Sequence, residues 1–461
     1  MALNQRYREE LETANRELQA SLHLLQEDQN AGRQVQMNML PVTPWQADGL
    51  KLPDPPEVGI ADKPERHATF MNDTRFIFSA LTDADFIQTE AHFEGKQPED
   101  LGRDSGPTLQ PDRLLAAIDL EIQQAQLNES SEAVRQLRSQ TLDHCSVAAL
   151  SPTGLFTLTA PTGSGKTLAA FRFAAAHAQK FGLHRIIYVA PYLTIFDQTS
   201  ALLRRVISRM GLSPSEQDRY LLEHASLTRL DLEPEELDPD SQTASNNRLL
   251  QARFSENWDA PFIITTNVQI LESLFANRPS KCRKLHRIAN SVILFDEIQT
   301  LPNDLACATL STLSRLTEQP FSSTIVFMTA TQPAFTELHS SLQKNWFSSW
   351  QPTEIIQNIP QLFTLSKRYQ SEWPVSADRT TWGTLATEIS SLPEPQQALV
   401  IVNVKRHALE LLRSLPESIS TRHLSTSMCP KHRTDVLSEV IEDLRAKRNL
   451  ILVATQCVEA G

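Results

Sequence analysis

The sequence predicts an α/β fold: a doubly wound parallel sheet, then part of a second such sheet, with a helical segment ahead of both. Three observations predict it. The apolar run LFTLT (155–159) turns through a Gly-rich loop into an Ala-rich helix. Short apolar strands then alternate with helical stretches, in RIIYVA (185–190), FII (262–264), SVILF (291–295) and IVFMT (325–329). The same alternation restarts in ALVIV (398–402) and LILVA (450–454). Runs this apolar fit strands covered on both faces, which parallel sheets joined by helices require.

The loop APTGSGKT, Ala160–Thr167, reads as a nucleotide phosphate site. Backbone N–H groups of such a loop, together with the positive end of the following helix, surround phosphate oxygens, and Gly lets the backbone approach closely. The expected nucleotide contacts are Thr162, Gly163, Ser164, Gly165, Lys166 and Thr167. Lys166 would reach the β- and γ-phosphates, and Thr167 would ligand Mg²⁺. Ala160 stands where the common pattern has Gly, a variant similar to motif I of superfamily 2 helicases.

The chain of 461 residues, at roughly 150 per domain, is expected to form two or three domains. Its longest apolar runs fall far short of the ~20 residues that span a bilayer, so a cytoplasmic protein with no membrane partner is expected. The five cysteines are scattered without a CxxC pair, which indicates neither a disulfide framework nor a zinc site. A net charge of −12 decides little about nucleic acid, because a motor can grip a strand with local groups on an acidic surface.

Five segments are expected. Residues 1–40 are expected to form an amphipathic or coiled-coil helix, because Tyr7–Asn30 is highly charged and Gly-free, with Leu11, Leu18, Leu22 and Leu25 at spacings of seven, four and three. With its continuation AGRQVQMNMLPVTPW, the segment over residues 7–45 resembles the linker and entry segment of PP2C-type bacterial signalling phosphatases. Residues 41–65 form a Pro-rich linker. Residues 66–105 contain the helical RFIFSALTDADFIQTEAHF, which resembles the closing helix of an HD nuclease domain. The chain has no His-Asp dipeptide, so the Asp83/Asp85 pair is an orphaned remnant, and His67 and His92 are surface residues. Residues 106–350 hold the first sheet domain, opened by helices over Leu114–Leu127 and Ala133–Leu142, and residues 351–461 hold the incomplete second, beginning near Phe363.

Within the first domain, the acidic Leu230–Gln242 reads as a solvated loop. Thr265, Thr266 and Asn267 lie at a strand end and would either touch a strand's phosphates or cap a helix. Arg278, Lys281, Arg283, Lys284 and Arg287 form either a solvated face or a phosphate contact. SVILFDEIQTLP is the second strong signal, delivering Asp296 and Glu297 at the end of a buried strand. Asp296 would hold the Mg²⁺ and Glu297 would polarise the attacking water, so these two are the expected catalytic residues.

APTGSGKT, ENWDAPFIITTNVQILESLF, RPSKCRKLHRIANSVILFDEIQTLP, TATQP, VNVKRHA, LSTSMCPKHR and ATQCVEAG together resemble the CRISPR-associated helicase-nuclease of type I interference, over Phe70–Gly461. The resemblance implies two RecA-like domains, use of ATP and Mg²⁺, and translocation along single-stranded DNA after recruitment by an RNA-guided CRISPR surveillance complex. It also implies that Thr329 and Thr331 of motif III, and Thr455 and Gln456 of motif V, face nucleic acid with Thr265, Thr266 and Asn267. No Arg-bearing motif VI follows, so the chain is expected to bind ATP, hydrolyse it slowly and not unwind a duplex. It is also expected to lack nuclease activity. The unfilled second sheet is expected to leave ALVIV and LILVA with an unpaired edge. A superfamily 2 translocase of a restriction system, or a nucleotide-binding signalling adaptor with an N-terminal dimerisation helix, are the competing readings.

Overall fold

The computed structural model describes residues 64–97, 101, 107–129, 131–225, 254–276, 278–330, 352–367, 380–425 and 427–455. The expected N-terminal helix, the phosphatase-like segment, the Pro-rich linker up to residue 63, the acidic loop, Thr331 and Gln456 lie outside the described residues, and the first described helix begins at Pro64, inside the expected linker. All described residues belong to the compact unit Asp62–Gly461.

Among the described residues, three helices precede the first strand: α1 (Pro64–Glu94), α2 (Pro111–Leu127) and α3 (Glu132–Ala148). The first sheet then builds through β1 (Leu155–Thr159), α4 (Lys166–Phe181), β2 (Arg185–Ala190), α5 (Leu193–Ser208), α6 (Pro214–Tyr220) and β3 (Leu221–His224). It continues with β4 (Phe262–Thr266), α7 (Asn267–Phe275), β5 (Ser291–Phe295), α8 (Asn303–Thr317), β6 (Thr324–Thr329), β7 (Thr353–Glu354) and α9 (Ile359–Ser366). The strand order is β3-β4-β2-β5-β6-β1-β7, with every pairing parallel.

Each central strand divides its side chains between two cores. Phe156, Leu158, Tyr188, Leu294 and Met328 point into one, with α2, α3, α4 and α5. Ile187, Ile263, Ile293, Phe295 and Phe327 point into the other, with α7 and α8. This two-sided burial is why the strands read as unbroken apolar runs.

The second sheet is formed by β8 (Gln397–Ile401), β9 (Thr421–Leu424) and β10 (Leu450–Ala454), parallel in the order β8-β10-β9. Helices α10 (Trp382–Ser390) and α11 (Lys405–Ser414) cover one face, and α12 (Pro430–Arg445) covers the other. The two RecA-like parallel sheets with preceding helices are as expected, but three details differ.

First, residues 352–367 belong with the first sheet. β7 pairs with β1, and Ile355, Ile356 and Leu362 enter the first core, whereas the expected division at 350/351 assigns these residues to the second domain. Second, LILVA is the central strand of its sheet, paired on both sides, and the edges among the described residues are β8, which carries ALVI, and β9. Third, α1 packs directly on the first sheet domain through Phe76, and Asp83 is no orphan. Asp83 is buried and accepts from Arg283 Nε at 2.9 Å and from Asn257 Nδ2 at 3.4 Å.

That pairing also takes part of the basic run out of both readings. Arg283 and Lys284 are buried, and Arg287 pairs with Asp259 at 3.2 Å, so these cations serve the interior. Only Arg278 and Lys281 are exposed, and Lys281 pairs with Glu272. Spacing along the chain reveals the charges but not the buried carboxylates, which come from distant elements.

Candidate functional site: a phosphate loop facing two carboxylates

β1 ends at Thr159 and the loop runs to Gly165, the N-terminal cap residue of α4. Gly163 has φ 78° and Gly165 has φ 74°, the left-handed region that favours Gly. A side chain on Gly165 would also meet Arg138 Cγ at 3.4 Å. The loop's base is fixed from an unexpected quarter. Glu354 of β7 accepts from the Thr159 N–H at 3.1 Å and from its hydroxyl at 2.7 Å.

β5 lies two strands from β1, with β6 between them, and its carboxyl end delivers Asp296 and Glu297 to the loop. Lys166 Nζ donates to Glu297 Oε1 at 3.1 Å and stands 3.6 Å from Asp296 Oδ1. The Tyr188 hydroxyl donates to Asp296 Oδ2 at 2.5 Å, and the Glu297 N–H donates to Asp296 Oδ1 at 3.1 Å. Burial pushes the Asp296 carboxyl above its ordinary value, opposed by the Lys166 charge and the Tyr188 hydrogen bond. Burial, followed by the charge of Asp296, pushes the Tyr188 phenol well up, so Tyr188 stays a donor.

Glu297 takes a left-handed backbone, φ 46°, before the short turn Ile298–Thr300. Gln299 Nε2 donates to Glu297 Oε2 at 2.7 Å, and Thr329 Oγ1 donates to Gln299 Oε1 at 2.9 Å. The last residue of β6 is thereby linked to the carboxylate through one side chain. Loop, acidic pair and turn line one cavity of about 890 Å³. Away from the loop its wall is largely apolar, with Ile122, Leu142, Ile195 and Leu202.

The expected nucleotide contacts Thr162 to Thr167 are contiguous, with Thr162 and Gly163 exposed and Ser164 buried. The Ser164 hydroxyl has no hydrogen-bond partner among the described residues. A loop with left-handed glycines, an unused buried hydroxyl, a Lys and two carboxylates suits a triphosphate with a divalent cation.

The expected nucleic-acid residues divide. Thr265 is wholly buried and its hydroxyl donates to the His224 carbonyl, which removes that side chain from any outer surface. Thr266 stands at the cap position of α7 without a side-chain cap hydrogen bond. Asn267 turns inward to Thr300, Thr329 turns to Gln299, and Thr455 is buried at the end of β10. Tyr188, Glu354 and Thr300 were missed. Tyr188 sits in an apolar strand where its hydroxyl gives no pattern, and Glu354 lies 195 residues from Thr159.

A model of the DEAD/DEAH box helicase family matches residues 140–338. The CRISPR-associated nuclease/helicase Cas3 of Haloferax volcanii is 29% identical over 224 residues, covering 47% of this chain and 23% of that protein. The Cas3 of Methanothermobacter thermautotrophicus is 25% identical over 328 residues, covering 66% of this chain and 35% of that protein. The chain therefore spans well under half the length of these relatives. Among solved structures, T. fusca Cas3 with AMPPNP superposes with a TM-score of 0.52 at 16% identity, covering 77% of this chain and 42% of that one. The homology to Cas3 proteins is distant and partial, and the fold is that of a superfamily 2 helicase.

Proposed function

We propose that this chain is the motor portion of a CRISPR-associated helicase, which binds ATP with Mg²⁺ and moves along single-stranded DNA. The observation that carries this reading is the convergence of Lys166, Asp296 and Glu297 at the mouth of the loop. Thr162 to Thr167 would hold the phosphates, and Thr167 and Asp296 would hold the cation. Bound Mg²⁺ supplies charge neutralisation at the β- and γ-phosphates. Glu297 would then orient and polarise the attacking water, and its tie to Gln299 and Thr329 would fix the carboxylate's direction.

In the same reading, an RNA-guided surveillance complex delivers the displaced strand. Thr266 remains the strand contact on β4, with Thr331 and Gln456 beyond the described residues. Nuclease chemistry is not placed on α1, because the Asp83 carboxylate is committed to Arg283 and Asp85 is exposed. The test is fluorescence anisotropy with a single-stranded oligonucleotide, with and without a non-hydrolysable ATP analogue and Mg²⁺. Binding that responds to nucleotide is expected. No binding under either condition would overturn the strand-translocating reading.

A further inference from the structure

The acidic turn is held from two sides, and only one side belongs to the strand that carries Thr329. On the other side, the Thr300 hydroxyl donates to the Glu297 carbonyl at 2.8 Å, beside the Thr300 N–H at 2.9 Å. Because that hydroxyl spends its proton on Glu297, its lone pair is free to accept, and Asn267 Nδ2 donates to it at 2.9 Å. Asn267 is the first residue of α7, directly after β4, so a side chain from the β4 corner reaches the backbone of Glu297 through one hydroxyl. Glu297 is the residue that needs holding, since its φ of 46° lies in the left-handed region that a side chain with a Cβ adopts only at a cost in strain. Asn267 Oδ1 is buried and has no hydrogen-bond partner among the described residues. The amide is therefore anchored on its donor side alone and can turn when the corner moves.

Resting on the helicase reading above, we propose that Asn267 is a positioning residue that couples the β4–α7 corner to Glu297 through Thr300. A polynucleotide seated at this corner fixes the start of α7 and with it the Asn267 amide. The amide then fixes the Thr300 hydroxyl and the left-handed setting of Glu297. This arm is independent of the one through Thr329 and Gln299, because it acts on the Glu297 backbone and not on its carboxylate. By linkage, a strand that favours one setting of Glu297 changes nucleotide affinity, and nucleotide changes strand affinity by the same factor.

The test needs binding only and no turnover. Affinity for a fluorescent ATP analogue with Mg²⁺ is measured without and with saturating single-stranded oligonucleotide, in the wild-type chain and in Asn267→Ala, Thr300→Val and Thr300→Ser. The ratio of the two affinities is the readout, since a uniform loss of affinity or of folded protein leaves it unchanged. The wild-type ratio is expected to lie between about 5- and 150-fold. It should fall below about 2-fold in Asn267→Ala and Thr300→Val and be restored in Thr300→Ser, which keeps the hydroxyl. A wild-type ratio of one, or an undiminished ratio in Asn267→Ala, would overturn the coupling role. Absence of nucleotide and strand binding in the wild-type chain would instead defeat the underlying helicase reading.

Discussion

Lys166 Nζ lies 3.1 Å from Glu297 Oε1, joining the first residue of α4 to the acid that follows β5 across 131 positions of sequence. The ammonium is compensated by Glu297 and by Asp296 at 3.6 Å, and a triphosphate entering the loop would compete with both acids for it. In the proposed nucleotide site, the acidic pair would keep Lys166 in place for a ligand.

Arg283→Met should be among the most destabilising substitutions outside the cavity. It would leave the Asp83 carboxylate buried without its guanidinium, which costs about 3–5 kcal/mol. Asp83→Leu together with Arg283→Met should recover most of that loss, as paired removal of a buried ion pair commonly does. Urea unfolding midpoints give the check. A single-variant loss below about 1 kcal/mol would contradict the account of the α1 anchor.

Stability should fall on mild acidification. His177 is wholly buried, with its ring nitrogens bonded to the Ala149 carbonyl at 2.9 Å and the Thr324 hydroxyl at 2.8 Å. Burial lowers its pKa to about 4. The unfolded chain, at about 6.5, takes up that proton first, so the contribution is present above about pH 6.5 and is lost as pH falls towards 4. The loss amounts to roughly 2–3 kcal/mol at the lower end. Melting temperature followed from pH 7 to 4.5 should drop less steeply in His177→Gln than in the wild-type chain, and parallel curves would refute the assignment.

Gly165→Ala and Gly182→Ala separate loop chemistry from backbone strain. Both glycines have positive φ, 74° and 67°, so either substitution should destabilise by about 1–2 kcal/mol. Only the Gly165 side chain would meet Arg138 beside the loop, whereas nothing lies within 4 Å of a side chain on Gly182. Nucleotide affinity should therefore fall in Gly165→Ala and hold in Gly182→Ala. Equal affinities in both variants would count against the loop as the binding element.

Much of the fold was legible because its signals are local. A strand, a Gly-rich turn and a helix succeed one another over Leu155–Phe181, and SVILFDE carries strand and acids together. The direction taken by side chains was not legible. Thr265 and Asn267 share a strand end, yet one turns to His224 and the other to Thr300, a choice set by which elements flank β4. The same holds for Arg283, whose partner Asp83 is 200 residues away on a helix expected to stand apart. Glu354 was hidden because β7 has two residues and no periodicity to read.

The most direct test is titration of the wild-type chain, Lys166→Ala and Asp296→Asn with a fluorescent ATP analogue in the presence and absence of Mg²⁺. Loss of the Lys166 contact with a phosphate should remove about 1.5–3 kcal/mol, roughly a 10- to 150-fold weakening. Asp296→Asn should abolish most of the Mg²⁺ dependence, because the neutral amide is a far poorer cation ligand. Saturable binding that is weakened in both variants is the predicted result, and unchanged affinity in Lys166→Ala would contradict the assignment of this loop and its acidic pair as the nucleotide site.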